Sequence, residues 1–229
     1  MNCSKRKISG RLSRLIAVGV LASGGVGAAA LLAPPAQATA CGTALASCTM
    51  TGTLTLSAGT LNLTTSTSLS WTGAVTGADL KLVDLTAADE TYTVVDATGS
   101  GAGWHVTTSA TTFTTGPLSL ANTGTFSTDG SLSSSTASGY PTTACTTGST
   151  CTVPTHTTAP TTYPVALTTA TSSPTSYVIY DANAATGVGS IAIGGSGNAA
   201  PVGWWLNVPG NTTPGTYTST ITMAVVTAP

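Results

Sequence analysis

The side chains able to do chemistry are few. The chain carries two histidines, His105 and His156, and seven acids, of which Glu90 is the single glutamate. Serine is abundant, yet no G-x-S-x-G elbow occurs, and Ser, His and Asp as bare residue types do not make a triad. Glycoside hydrolysis needs two opposed carboxylates, and Asp84, Asp89, Glu90 and Asp96 are the acids on offer, grouped around turns. Asp181-Ala182-Asn183 has two oxygen donors for Ca²⁺, but the glycine and the acidic residue of a calcium loop do not follow. Gly99, Gly101 and Gly103 fall between strand-like segments with no helix to receive a phosphate, so they read as a tight turn and not as a nucleotide cradle. The expectation is a protein that is not an enzyme, with no cofactor and no metal.

Cysteine and tryptophan remain. Cys41, Cys48, Cys145 and Cys151 allow three pairings, of which Cys41–Cys48 and Cys145–Cys151 each close a short Gly/Thr/Ser loop and are favoured. Their spacings do not form the paired knuckles of a structural zinc site. Trp104 opens an alternating segment after the glycine turn, which suits a core plug, with ligand contact as the competing role. Trp204 and Trp205 are adjacent, so on a strand they point to opposite faces and one is expected to meet solvent or a groove. That makes Trp204 and Trp205, with Trp104, the candidate binding aromatics. Trp71 in Leu69-Ser70-Trp71 reads as core.

These residues must be carried by strands. Of the 229 residues 41% are hydrophobic and only 6% charged, so disorder is excluded and long amphipathic helices lack a charged face. Large apolar residues sit two apart at 54–56, 61–63, 80–82, 104–106, 118–120 and 191–193. Further strands are expected at 92–96, 165–169, 177–181, 203–208 and 216–226, the last with Tyr217, Ile221, Met223 and Val225 on one side. The fold class is therefore all-β, an antiparallel two-sheet β-sandwich of Ig-like or Greek-key type. Residues 41–229 are expected to form one domain, with 123–162 as a Thr/Ser-rich surface excursion closed by Cys145 and Cys151.

Five of the six basic residues precede the apolar run from Leu15 to Leu32, which ends in Pro34, Pro35 and Ala36-Gln37-Ala38. Residues 1–40 read as a secretory signal peptide with its helical apolar stretch, in preference to a retained anchor or a lipidated Cys41. Once they are removed, Lys81 is the only basic side chain against seven acids. One lysine cannot neutralise a row of phosphates, so nucleic acid and anionic membranes are excluded as partners. Any affinity for a cell-wall polymer would have to come instead from aromatic faces, hydroxyls and backbone groups, with weak dependence on salt.

Two segments carry a family likeness. Asp96-Ala97-Thr98-Gly99-Ser100-Gly101-Ala102-Gly103-Trp104-His105-Val106-Thr107 resembles the D-x-R-G-T-G-x-G-W-x-L-T signature of WxL domains, the non-covalent cell-wall modules of Gram-positive bacteria. Tyr217 through Pro229 is similar to that family's closing Y-x-x-x-L-T-W-x-L-x-x-A-P, with Met223 and Val225 where Trp and Leu would stand. Ala97 replaces the Arg, Val106 replaces a Leu, and the literal W-x-L is displaced to Trp204-Trp205-Leu206. The resemblance implies a divergent secreted cell-surface protein attached to peptidoglycan or another wall glycan, with other surface proteins as further partners. The rival expectation is a structural subunit of a surface layer or filament built by β-strand pairing.

Overall fold

The computed structural model describes residues 52–133, 139–156, 160 and 162–227. The expected signal peptide and the Cys41–Cys48 pair lie outside these residues. Leu54–Pro229 make one compact unit, and the described residues contain strands and turns but no helix. The protein is all-β.

Thirteen strands run through the described residues: β1 (Leu61–Thr64), β2 (Leu80–Val83), β3 (Thr91–Asp96), β4 (Trp104–Ala110), β5 (Thr114–Thr115), β6 (Leu118–Ser119), β7 (Phe126–Asp129), β8 (Thr143–Cys145), β9 (Val165–Leu167), β10 (Tyr177–Ala182), β11 (Gly189–Gly194), β12 (Gly203–Val208) and β13 (Ile221–Thr227). Their pairing separates into sheets ordered β1-β3-β11-β8, β10-β4-β13 and β2-β12-β7-β9, plus the β5-β6 ribbon. Every strand ladder is antiparallel, and one isolated bridge, Thr111 to Ala170, is parallel. Hydrogen bonding thus forms three sheets and a ribbon where two sheets were expected. β4 is the reason: its two edges are taken by β10 and β13, so it does not continue the sheet of its neighbour in sequence, β3.

β-Branched and aromatic residues recur in the longer strands, since a half-buried pleated surface accommodates them. In β3, Tyr92, Val94 and Asp96 are buried while the intervening residues are half-buried. In β11, Ile191 and Ile193 point inward. One hydrophobic cluster gathers residues from all three sheets, including Val94, Val106, Phe126, Tyr180, Ile191 and Trp204. Tyr92 meets Tyr180 edge-on at 6.5 Å, and Phe126 stacks on Trp204 at 5.8 Å.

Two expectations are corrected. Leu54-Thr55-Leu56 alternates but forms no strand, and its leucines are 80% and 82% exposed. The supposed surface excursion at 123–162 supplies two strands: β7 lies between β12 and β9 with all four residues buried, and β8 edges the β11 sheet. β7 reads Phe-Ser-Thr-Asp, so a single apolar side chain marks a strand that is covered on both faces. Cys145 and Cys151 are bonded, with Cα atoms 5.4 Å apart, fixing β8 to the residues that follow it.

Candidate functional site

The first family-like segment builds a turn. Asp96 Oδ1 accepts from the Thr98 amide at 3.0 Å and the Thr98 hydroxyl at 2.7 Å. Thr98 Oγ1 accepts from the Ser100 amide, and Ser100 Oγ from the Ala102 amide. Polar side chains at every second position therefore cap the amide two residues on, while Gly99, Gly101 and Gly103 between them take positive φ of 70°, 62° and 80°. A Cβ on Gly103 would run into the Ala182 carbonyl and the backbone of Asn183 and Ala184. The turn delivers Trp104 to the interior, where it is fully buried, stacks on Tyr180 at 6.1 Å, and donates its indole N–H to Gly187 O at 2.8 Å.

β13 carries the second segment. It pairs with β4 so that Val225 lies opposite Val106, Met223 opposite Thr108 and Thr227 opposite Trp104. Two stretches far apart in the chain are thus neighbouring strands of one sheet.

The binding roles expected of the tryptophans are not available to them. Trp204 is 2% exposed and Trp205 4%. They do point to opposite faces of β12, but both faces are covered. Trp204 packs in the core and donates to Asp89 O at 3.1 Å. Trp205 donates to Asp129 Oδ1 at 2.9 Å and to Ser131 O. Trp104, buried beside Gly187, offers no ring face to a ligand either.

The acids shape turns. Asp84, Asp96 and Asp129 each accept the amide two residues on, from Thr86, Thr98 and Ser131. Asp84 Oδ2 also accepts the Ser70 amide at 2.6 Å, pinning the segment that precedes Trp71. Burial raises the Asp89 carboxyl, and neighbouring Asp84 adds to it. Asp129 is fully buried, its Oδ2 has no hydrogen-bond partner, and burial pushes its pKa up to about 6.

Composition alone did not point to the environment of His156. Its Nδ1 lies 2.7 Å from Asp181 O and 3.1 Å from Asp181 Oδ1, and its Nε2 lies 3.1 Å from the Tyr180 hydroxyl. Tyr140 stacks flat on the ring at 3.7 Å. Both ring nitrogens are occupied, so the cluster ties the 152–156 stretch to β10 and leaves no ring nitrogen for a substrate. Asp181, weighed above as a calcium ligand, is His156's partner instead. Among the described residues no group of three or more His, Cys, Asp or Glu side chains is placed to hold a metal ion.

What the molecule does present is a groove of about 910 Å³ between residues 65–75 and 212–219. Buried Phe113, Leu120 and Leu206 form its floor, and half-buried Trp71, Tyr217 and Met223 line it. Trp71 is held by its indole N–H to Trp204 O at 2.9 Å and by edge contacts with Phe113 and Phe126. Tyr217 donates its hydroxyl to Thr213 O at 3.0 Å, which stiffens the 212–219 wall. The rim carries exposed Thr67, Ser68, Thr72, Thr213 and Thr216. No acidic, basic or histidine side chain lines the groove. Tyr217 and Met223 belong to the closing family-like segment, whereas Trp71 was expected in the core. Val225, the third residue marked in that segment, is half-buried against the core and outside the groove.

No known protein family, curated protein or solved structure matches the chain.

Proposed function

We propose that this is a secreted, non-catalytic cell-surface protein that attaches non-covalently to the cell wall through a WxL-like domain, with the sheets acting as the layers of an Ig-like, Greek-key sandwich. The observation that carries this reading is the uncharged groove beside β13, with aromatic and thioether side chains inside and hydroxyls at the rim. Such a surface suits a polymer of neutral hydroxyl and amide groups, which it meets by ring contacts and hydrogen bonds. The ladder that joins the two family-like segments into adjacent strands supports the same reading. The test is sedimentation of the purified mature protein with peptidoglycan sacculi. Co-sedimentation that persists at high salt supports attachment, and full release by moderate salt or no sedimentation refutes it.

A second reading has its own support. Leu54 and Leu56 are exposed and lie outside the strands, and β13 is an edge strand with β4 as its ladder partner. A subunit that assembles by strand pairing would use both. Size-exclusion chromatography and electron microscopy separate the readings: ordered self-assembly in the absence of wall favours this one, and a monomer that binds sacculi favours attachment.

A further inference from the structure

Resting on the attachment reading, we infer that the groove takes the N-acetylated glycan strand of peptidoglycan and not its peptide stems. The argument is one of charge and shape. Peptide stems carry free carboxylates and ammonium groups, and a charge drawn into a partly desolvated groove needs a counter-charge or a dense set of hydrogen bonds. The lining contains no Lys, Arg, His, Asp or Glu. A glycan strand asks for something different, because each sugar has an apolar C–H face and a belt of neutral hydroxyl and amide groups.

The groove supplies both. Trp71 and Tyr217 bring aromatic surface, and Met223 adds a thioether to the lining. The two rims, Thr67, Ser68 and Thr72 on one and Thr213 and Thr216 on the other, are exposed hydroxyl rows that can donate and accept. Small-ligand pockets range over ~300–1,000 Å³, so about 910 Å³ is large for a single ring and suits a short run of sugars. The aromatic surface is also pre-ordered: Trp71 is bonded to β12 and Tyr217 to its own loop, so little side-chain freedom is lost on binding.

The test uses the mature protein with three probes: intact sacculi, neutral glycan strands of β-1,4-linked N-acetylglucosamine, and free stem peptide. Glycan strands are expected to compete with sacculi and stem peptide is not. Tyr217→Ala is expected to weaken sacculus binding about tenfold, as for loss of an aromatic anchor, while Tyr217→Phe retains binding. Thr216→Trp fills the groove from an exposed rim position that the core does not use, and is expected to abolish binding in a folded protein. Competition by stem peptide alone, or full binding by a folded Thr216→Trp protein, overturns this inference and leaves wall attachment standing. Absence of sacculus binding by the wild-type chain overturns both.

Discussion

Val106 and Val225 sit directly opposite each other in the β4–β13 ladder, although they lie far apart in the chain. That pairing turns two short sequence likenesses into one structural unit. It places Trp104 at one end of the ladder, in the core, and Met223 further along, at the groove. The family-like residues therefore divide by role. Asp96, Gly99, Gly101, Gly103 and Trp104 build the scaffold, and Tyr217 and Met223 reach the surface where a ligand can lie.

Trp104→Ala removes the largest fully buried side chain and strands the Gly187 carbonyl. Loss of a buried tryptophan costs about 3–5 kcal/mol. Chemical denaturation is expected to show that loss, with sacculus binding falling only to the extent that the protein unfolds.

Gly103→Ala places a side chain at φ +80°, against the Ala182 carbonyl. Strain at such a position is about 1–3 kcal/mol. Thermal denaturation is expected to show a destabilised fold, with Gly99→Ala milder because nothing crowds a Cβ there.

The fold was most legible where apolar residues alternate. β3, β11 and β13 announce themselves by Val, Ile, Tyr or Met two apart, and β4 by Trp104 and Val106, and their inner faces are the ones the alternation implies. β7 was not legible, because Ser127, Thr128 and Asp129 are buried by tertiary contacts that leave no apolar period. Leu54-Thr55-Leu56 misled for the opposite reason: it has the period but no ladder. For Trp204 and Trp205 the opposite orientations were readable, while the cover over the second face was not. The groove escaped sequence reading altogether, since residues 65–75 form no strand and meet 212–219 only through the fold. Trp71 then looks like any core tryptophan.

Asp129 sets a pH dependence with a definite sign. The unfolded carboxyl loses its proton near 3.8 and the buried one near 6. Between those values the folded state holds the extra proton, so stability falls as pH rises. The cost is absent below the lower value, complete above the upper, and on the order of 2–3 kcal/mol. Urea denaturation across this range is expected to show the decline, and Asp129→Asn is expected to flatten it.

Replacing both Cys145 and Cys151 by Ser opens a short loop, with the two residues separated by 6 in sequence. Closing a loop of this size contributes about 2 kcal/mol in the chain-entropy description. A lower Tm is expected, and faster amide exchange in β8, which pairs with β11 alone.

Leu54→Ser with Leu56→Ser alters side chains that are four-fifths exposed. Stability is expected to move by no more than about 0.5 kcal/mol. If ordered self-assembly occurs, the same double variant is expected to suppress it, as analytical ultracentrifugation would show.

The crossing of β4 between β10 and β13 also bears on how quickly the molecule can form. Neither neighbour is close to β4 in sequence, so this sheet cannot grow from hairpins and must await large loop closures. Chains built this way fold over milliseconds to seconds, with apolar strands uncovered in the meantime. A polypeptide with so few charges has little self-repulsion to keep such intermediates apart. Its yield on refolding should therefore fall steeply with protein concentration, and a folding helper would have a clear physical task.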